Sequence, residues 1–583
     1  MRRVPLHRST YRMFCNTVLT MATVEFTQVG AGFIDGLITG KYMDSAALSA
    51  IGLIYPFFSL MGLLSGLLTA GSEVKCTSLM GAGELRKCNG VLNLALVCGF
   101  AVSALATAGC LMFSAGFASL LGAVGDALLA AAERYLTGLA IGTVPLVLNP
   151  IVSMALTLVG KGRTVRVSAV VCAGANIGLD LLAVLRGWGI FGIGLSTAAG
   201  QGVQLLMLAI ALMRDSAFHF SLRGLPVRAL WDIAVYGSEK VVRRLANVIR
   251  PIVLNRFILS LGGTAAISAL SVHHNIGDFA VIPFAGISAA VGLLTGIFWG
   301  EVNRDEIRAV GGFAHRAILL FAVPIGGALW LFRAPIAVFY ARDPETAALI
   351  VFAIGCLAPD LPLKALVDAR ISYLQAIKRP KTASTLLMLN RLVFPVVSAA
   401  LLGLLFGARG VLASVTVSDG LTALAVFAAG MIRKKGLPTA DESLMLGAGF
   451  DIPPEHIIDL TVRDAEELSL TAWQLQLFCK GHRFDERKAM WASMCLEDLV
   501  GAIRAHPSRR AEPISVRVTL DNDGRLIIRT RDSCDPFNVL QYMRDRAAQA
   551  DRDSAISTAI LDKTTQEVGY LRSINTNVYV LKI

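Results

Sequence analysis

The chain has 583 residues, 55% of them hydrophobic and only 16% charged, with a formal net charge of +12. This composition excludes an ordinary soluble protein over residues 1–432 and places that stretch in the membrane class. The positive balance follows the loops of a multi-spanning protein and gives no reason to invoke nucleic acid. An aromatic content of 7% argues against a dense aromatic cage for organic cations.

Apolar runs long enough to cross about 30 Å of hydrocarbon fall near 13–38, 46–70, 89–114, 126–158, 165–185 and 189–213. A second set falls near 232–261, 265–298, 310–332, 346–376, 383–405 and 409–432. The expected fold is therefore an all-α polytopic membrane protein of 12 transmembrane helices in two six-helix lobes. The start, MRRVPLHR, leads into an apolar run without an A-x-A-like cleavage site, which predicts an uncleaved first helix. The fourth run holds Pro145 and Pro150 and is predicted to bend. Loops after even-numbered spans carry most of the basic residues, among them Lys75, Arg86, Lys87, Lys161, Arg163, Lys378 and Arg379. Loops after odd-numbered spans carry only Lys41, Arg186, Arg333, Arg342 and Arg409, so the positive-inside rule predicts cytoplasmic termini. The ten cysteines form no C-x-x-C and read as reduced apolar fillers rather than disulfides or metal ligands.

Acids inside spans are costly in hydrocarbon and are candidates for function by default. Asp35 lies in the first span, within GAGFIDGLITG. Asn176 and Asp180 lie in the fifth, within AGANIGLDLL, four residues apart and so on one helix face. Such carboxyls can hold a proton and release it when the site opens to the other side, the minimum chemistry of a proton-coupled carrier. The alternative for either acid is a structural hydrogen bond to a neighbouring helix. Glu133 and Arg134 can pair with each other.

The membrane region repeats itself. Residues 44–87 and 263–306 align at an offset of about 219, with Ala47 over Ala266, Ser49 over Ser268 and Gly81 over Gly300. A duplicated bundle with its cargo path between the halves is a common transporter design. The second half is the more basic. Span seven carries Glu239, Lys240, Arg243, Arg244, Asn247, Arg250 and Arg256, and span eight His273, His274 and Asp278. Spans ten and eleven add Asp360, Lys364, Asp368, Arg370 and Arg391. Two readings stay open: a cavity for anionic or zwitterionic cargo built around Asn247, Arg250, His274, Asp278, Asp368 and Arg391, or internal pairing of these cations with Asp278, Asp360 or Asp368. Lys240 to Arg244 can also snorkel to headgroups.

Near residue 436 the composition changes. Pro438 and Gly447-Ala-Gly form a linker (436–452), and 453–583 has the pattern of a globular cytoplasmic α+β two-layer domain. Helices are expected at 464–480, 484–505, 536–549 and 555–567. SVRVTL and RLIIRT form a hairpin around Asp521-Asn-Asp-Gly524, and NVYVLKI a closing strand.

Two resemblances follow from these motifs. FIDGLITGKYMDSAALSAIGLIYPFFSL resembles the first two helices of the MATE family of multidrug and toxin exporters, ANIGLD its fifth-span motif, and IFGIGLSTAAG the start of its sixth span. The resemblance covers roughly residues 10–432. It implies a secondary exporter rather than an enzyme, lobes at 1–215 and 216–435, and a proton-linked cluster of Asp35, Asn176, Asp180 and Thr197. Ala155 stands where some relatives carry an Asn, with Asn149 and Ser153 nearby, and Asn247 where sodium-coupled relatives carry an acid. Protons are thus favoured over sodium, with Asp360 or Asp368 answering a further family acid. The tail resembles the ATP-binding domain of histidine kinases and anti-sigma factors, with Glu497, Asp498 and Asp532 at nucleotide positions. Ala502 replaces its metal-holding Asn and Ala555 a loop glycine, which implies a degenerate sensor or docking module without ATPase or kinase activity. The combined expectation is a cargo:proton antiporter of the bacterial inner membrane, regulated by its tail. It would work on small-molecule cargo among membrane lipids, with no cofactor, no metal and no nucleic acid, and with a cytoplasmic regulatory protein as a candidate tail partner. The rivals are a flippase for lipid-linked or anionic substrates and a non-transporting sensor that signals through the tail.

Overall fold

The computed structural model describes residues 6–583 except 44, 122–124, 216–217, 223, 342, 435–445, 447–449, 451, 506–512, 521–523, 550–551 and 575. Most of the expected linker and the tip of the tail hairpin lie outside the described residues. Up to residue 434 the described chain is helical. Its elements are α1 (Leu6–Tyr42), α2 (Ser45–Gly81), α3 (Leu85–Met112), α4 (Ser114–Leu120), α5 (Asp126–Ala140), α6 (Thr143–Leu158), α7 (Gly162–Leu185) and α8 (Gly189–Met213). Then come α9 (Ala229–Ala280), α10 (Ile282–Gly300), α11 (Arg304–Tyr340), α12 (Pro344–Ala376), α13 (Pro380–Met388), α14 (Phe394–Phe406) and α15 (Ala408–Lys434). Among the described residues, ten helical segments are long and apolar enough to cross a membrane, or up to eleven if the bent α5–α6 pair is one span. α1, which carries Arg12, Glu25, Asp35 and Lys41, is not among them.

The 43° bend between α5 and α6 falls at Ile141–Gly142, ahead of both prolines. The hydroxyl of Thr107 donates to the Ala140 carbonyl at 3.0 Å, so a neighbouring helix occupies a backbone group at the break. α9 is 52 residues long, or about 78 Å at the usual helical rise, far too long for a single crossing. It breaks at Gly263, whose φ of 60° and ψ of −154° suit glycine alone.

The repeat is visible in how the two halves touch. A Cβ on Gly81 (α2) would lie 2.0 Å from the Ile297 carbonyl oxygen, and one on Gly300 (α10) 2.1 Å from that of Ser78. Likewise a Cβ on Gly237 would meet the Leu67 oxygen at 2.2 Å, and one on Gly286 the Val18 oxygen at 2.6 Å. Each second contact is the first with the halves exchanged, shifted by about 219 residues. Glycine permits backbone-to-backbone approach here, and these crossings close the halves together at the end of the bundle that faces the tail.

The tail is a five-stranded antiparallel sheet in the order β1-β2-β3-β5-β4. The strands are β1 (Ile457–Val462), β2 (Ile514–Leu520), β3 (Leu526–Asp532), β4 (Glu567–Ser573) and β5 (Thr576–Lys582). Its helices are α16 (Ala465–Gly481), α17 (Glu486–Ala505), α18 (Val539–Ala548) and α19 (Arg552–Thr564). The pleat sorts the side chains. Val516, Val518, Ile528, Tyr579 and Leu581 enter a core with Leu475, Leu496 and Leu499 of the helices. Their alternates Val578 and Val580 join the core of the membrane bundle instead. Strand β1, short and directly after the linker, was not expected from the sequence.

Candidate functional site

In the first half, α1, α7 and α8 bring Asp35, Asn176, Asp180 and Thr197 into one cluster. Asp180 is fully buried and faces Asp35 closely enough for the two carboxyls to interact directly. Neither oxygen of Asp180 has a hydrogen-bond partner among the described residues, nor does Oδ1 of Asp35. The Asn176 amide donates to the Thr197 hydroxyl at 3.4 Å, and Thr197 in turn donates to the Ile193 carbonyl. Tyr135 of α5 lies within the field of both acids. Asn149 is engaged elsewhere, donating to the Gln201 side chain at 2.7 Å. Glu133 accepts from the Ser114 hydroxyl at 3.0 Å.

The second half holds a comparable cluster that the sequence did not disclose as a unit. A π-helical turn, Leu389–Val393, interrupts the α13–α14 span and turns Asn390 and Arg391 inward. The Asn390 amide donates to Asp419 and, at 3.1 Å, to the Thr422 hydroxyl, both on α15. Asp360 of α12 faces Asp419, so this half too contains two adjacent carboxyls. Arg250 lies in the field of Asp419, Asp360 and Asp278, and its Nε has no partner among the described residues.

Beside it runs a chain of ion pairs. Arg391 is held by both oxygens of Asp368, at 2.8 and 2.7 Å, and Arg243 reaches the same carboxylate at 3.2 Å. Arg243 also donates from Nε to Glu239 at 2.7 Å, and Gln375 donates to the other Glu239 oxygen at 3.2 Å. The two arginines are therefore neutralised by Asp368 and Glu239 of their own half. A cavity of about 360 Å³ opens against this chain between α1, α2, α9, α10 and α12, lined among others by Glu25, Glu73, Lys240, Arg243 and Asp368. It belongs to both halves and presents charges of both signs. Of the expected cavity residues, Asp368 alone lines it; Asn247 and Asp278 are exposed, and His274 packs on His273 with ring centroids 5.9 Å apart. Glu25 and Glu73 are the residues sequence reasoning passed over: Glu25 stands in the first apolar run, whereas Glu73 lies just past the second and two residues from Lys75.

In the tail, Asp532 is buried and accepts from the Asn577 amide and the Cys534 backbone N–H, both at 2.9 Å. Asn577 is fixed further by Arg572 and Tyr570, at 2.7 and 3.0 Å. Glu497 and Asp498 lie side by side on α17, and burial together with Asp498 pushes the Glu497 carboxyl up. Among the described residues no three His, Cys, Asp or Glu side chains are placed to hold a metal ion.

Several known proteins share this architecture. The multidrug export protein MepA of Staphylococcus aureus (strain NCTC 8325 / PS 47) is 23% identical over 402 residues, covering 68% of this chain and 87% of that protein. The probable multidrug resistance protein NorM of Streptococcus pneumoniae is 24% identical over 365 residues, covering 57% and 75%. The outward-facing conformation of a multidrug resistance MATE transporter of the MOP superfamily superposes with a TM-score of 0.68 at 20% identity, covering 73% of this chain and 96% of that one. A MOP superfamily transporter from Pyrococcus furiosus, described as having a binding pocket of reverse polarity, superposes at 0.66 and 20%, covering 75% and 97%. Residues 21–182 and 241–401 match the MatE family itself, one stretch in each half of the repeat and together more than half of the chain. The chain therefore belongs to the MatE (MATE) family, whose members are secondary transporters and not enzymes.

Proposed function

We propose that the chain exports small molecules in exchange for protons, as a twelve-span protein of two six-helix lobes in the bacterial inner membrane. Counting α1 as the remaining crossing supplies the twelfth span, and the basic loops named above favour cytoplasmic termini. The multidrug relatives support small-molecule cargo. The carrying observation is the Asp35–Asp180 pair, a fully buried carboxyl facing a half-buried one, with both Asp180 oxygens and Oδ1 of Asp35 unpartnered among the described residues. Two carboxyls sharing a site hold one proton between them until solvent or a cation replaces it. Open outward, the pair takes a proton and cargo binding weakens. The lobes then rock against each other, the crossings at Gly81 and Gly300 part, and the proton leaves inside. Protons serve as the coupling ion in this reading, ahead of sodium, and the docked tail regulates the cycle. Glu497, Asp498 and Asp532 remain a candidate, degenerate nucleotide site.

The test is proton flux in inside-out vesicles under an imposed pH gradient, with cationic, neutral and anionic compounds. The wild type is expected to discharge the gradient in the presence of cargo, and Asp35→Asn and Asp180→Asn to lose at least about tenfold of that flux. Undiminished, still proton-coupled transport in Asp180→Asn would end this assignment. A second reading, a flippase for anionic lipid-linked substrates, is favoured by Arg250, half-buried beside Pro251 with an Nε that has no partner among the described residues. In that case only anionic headgroups move, and Arg250→Gln stops them.

A further inference from the structure

The sheet of the tail has a second face, and its occupant is the membrane bundle. Arg517, Arg529 and Arg531 alternate with the inward residues of β2 and β3 and so point away from the tail's own core. On an isolated domain such a row would lie in water, yet all three are buried. Arg529 donates to the Gly81 carbonyl at 2.8 Å, at the end of α2 in the first half. Arg531, two residues along the same strand, pairs with Glu301 at 2.5 Å, just past α10 in the second half. Their side chains are only 8% and 4% exposed. The Arg531 guanidinium also lies 5.4 Å from the ring centre of Phe298. Around this core, the Ile574 backbone N–H donates to the Leu158 carbonyl at 3.1 Å, on the first half. Phe450 stacks on Trp299 of the second half at 4.3 Å.

These contacts converge on the crossing of α2 and α10, where Gly81 and Gly300 are equivalent positions of the repeat. We propose that the sheet face is a docking surface for this rim in its closed arrangement only, so that the tail latches the transporter shut on its own side. The inference rests on the alternating-access reading given above. Opening on the tail side moves Gly81 and Glu301 apart, and one strand cannot follow both. Either Arg529 or Arg531 must let go, and a released Arg531 leaves a buried Glu301 carboxylate without its cation. Undocking must therefore precede opening, and whatever binds the tail in preference to the rim activates transport.

The test uses the full-length chain in inside-out vesicles, with Ser288→Cys reporting from the wall of the inter-half cavity. Its reaction with a membrane-impermeant maleimide on the tail side is measured as the gain over the parental chain. Arg531→Glu and Glu301→Arg are each expected to speed labelling at least about tenfold, and the exchanged pair, Glu301→Arg with Arg531→Glu, to slow it again. Singles that label at the parental rate overturn the latch. So does an exchanged pair as fast as the singles, because disrupted folding rather than a lost pair then explains the acceleration. Compound-driven proton flux is recorded on the same vesicles. Labelling that follows the latch without flux of any compound refutes the exporter reading alone, whereas flux with indifferent labelling refutes the latch alone.

Discussion

Asp368 serves two arginines from two helices, and removing its charge would leave both Arg243 and Arg391 in a low-dielectric interior with their remaining partners. Asp368→Asn is expected to cost about 3–5 kcal/mol, read as a lowered thermal midpoint in detergent. Asp368→Leu with Arg391→Leu should cost less, since no buried charge is stranded by losing Asp368's bidentate partner. In the tail, burial pushes the thiols of Cys479 and Cys495 up to about 11. Only on the order of one thiol in a thousand is then ionised near pH 8, so maleimide should reach them at a useful rate only after the tail unfolds. Asp35 and Asp180 were legible in the sequence because an acid in an apolar run is expensive, and the four-residue step from Asn176 fixes a shared face. Asp419 and Asn390 were not, because they are 29 residues apart on separate helices and the joining π turn follows no spacing rule. The basic second half left pairing with Asp278, Asp360 or Asp368 as one of two open readings, and the choice of Asp368, with Glu239 as the second partner, emerges only from packing.

At the level of elements, the glycine crossings act as paired close contacts between the halves. Leucine at position 81 or at 300 has no room, because even a Cβ lies about 2 Å from a carbonyl oxygen of the opposite helix. Both substitutions are expected to prise α2 from α10 and to lower stability by similar amounts, about 1–3 kcal/mol as for other overpacked sites. Unequal midpoints by more than that spread would argue against equivalence of the two contacts. Docking of the sheet carries a pH dependence through β1. Burial raises the Asp459 carboxyl, Arg517 opposes this, and Asp305 and Glu306 of the bundle raise it further. Because the bundle's acids are near only when the tail is docked, the docked state holds this proton more tightly. Docking is therefore favoured while Asp459 is protonated and weakens as pH rises through its docked value. Tail engagement, followed by the labelling assay above, should weaken as pH rises from the ordinary carboxylate range, about 4, to neutrality, and Asp459→Asn should flatten the difference. The tail helices and the β2–β3 hairpin were legible from periodicity. The docking face was not, because arginines alternating with apolar residues look like a solvated face until the partner surface is seen.

Taken whole, the molecule couples a duplicated helical bundle to one sheet domain that touches both copies. A chain ending at Lys434 is expected to insert and to transport several-fold faster than the full chain, since the closed state loses its added stabilisation. Slower transport by the truncated chain would make the tail an activator instead. Most of the apolar spans and the duplication were readable from composition and offset. How the halves meet was not, since small residues at an interface and small residues facing lipid look alike in sequence. Strand β3 supplies one more consequence. A strand advances about 3.4 Å per residue, so Arg529 and Arg531 stand about 7 Å apart on a stiff ladder, and they span an acceptor from each half. The tail is thus a caliper: it registers a separation between two points on the rim and carries that measurement to the opposite face of its own sheet.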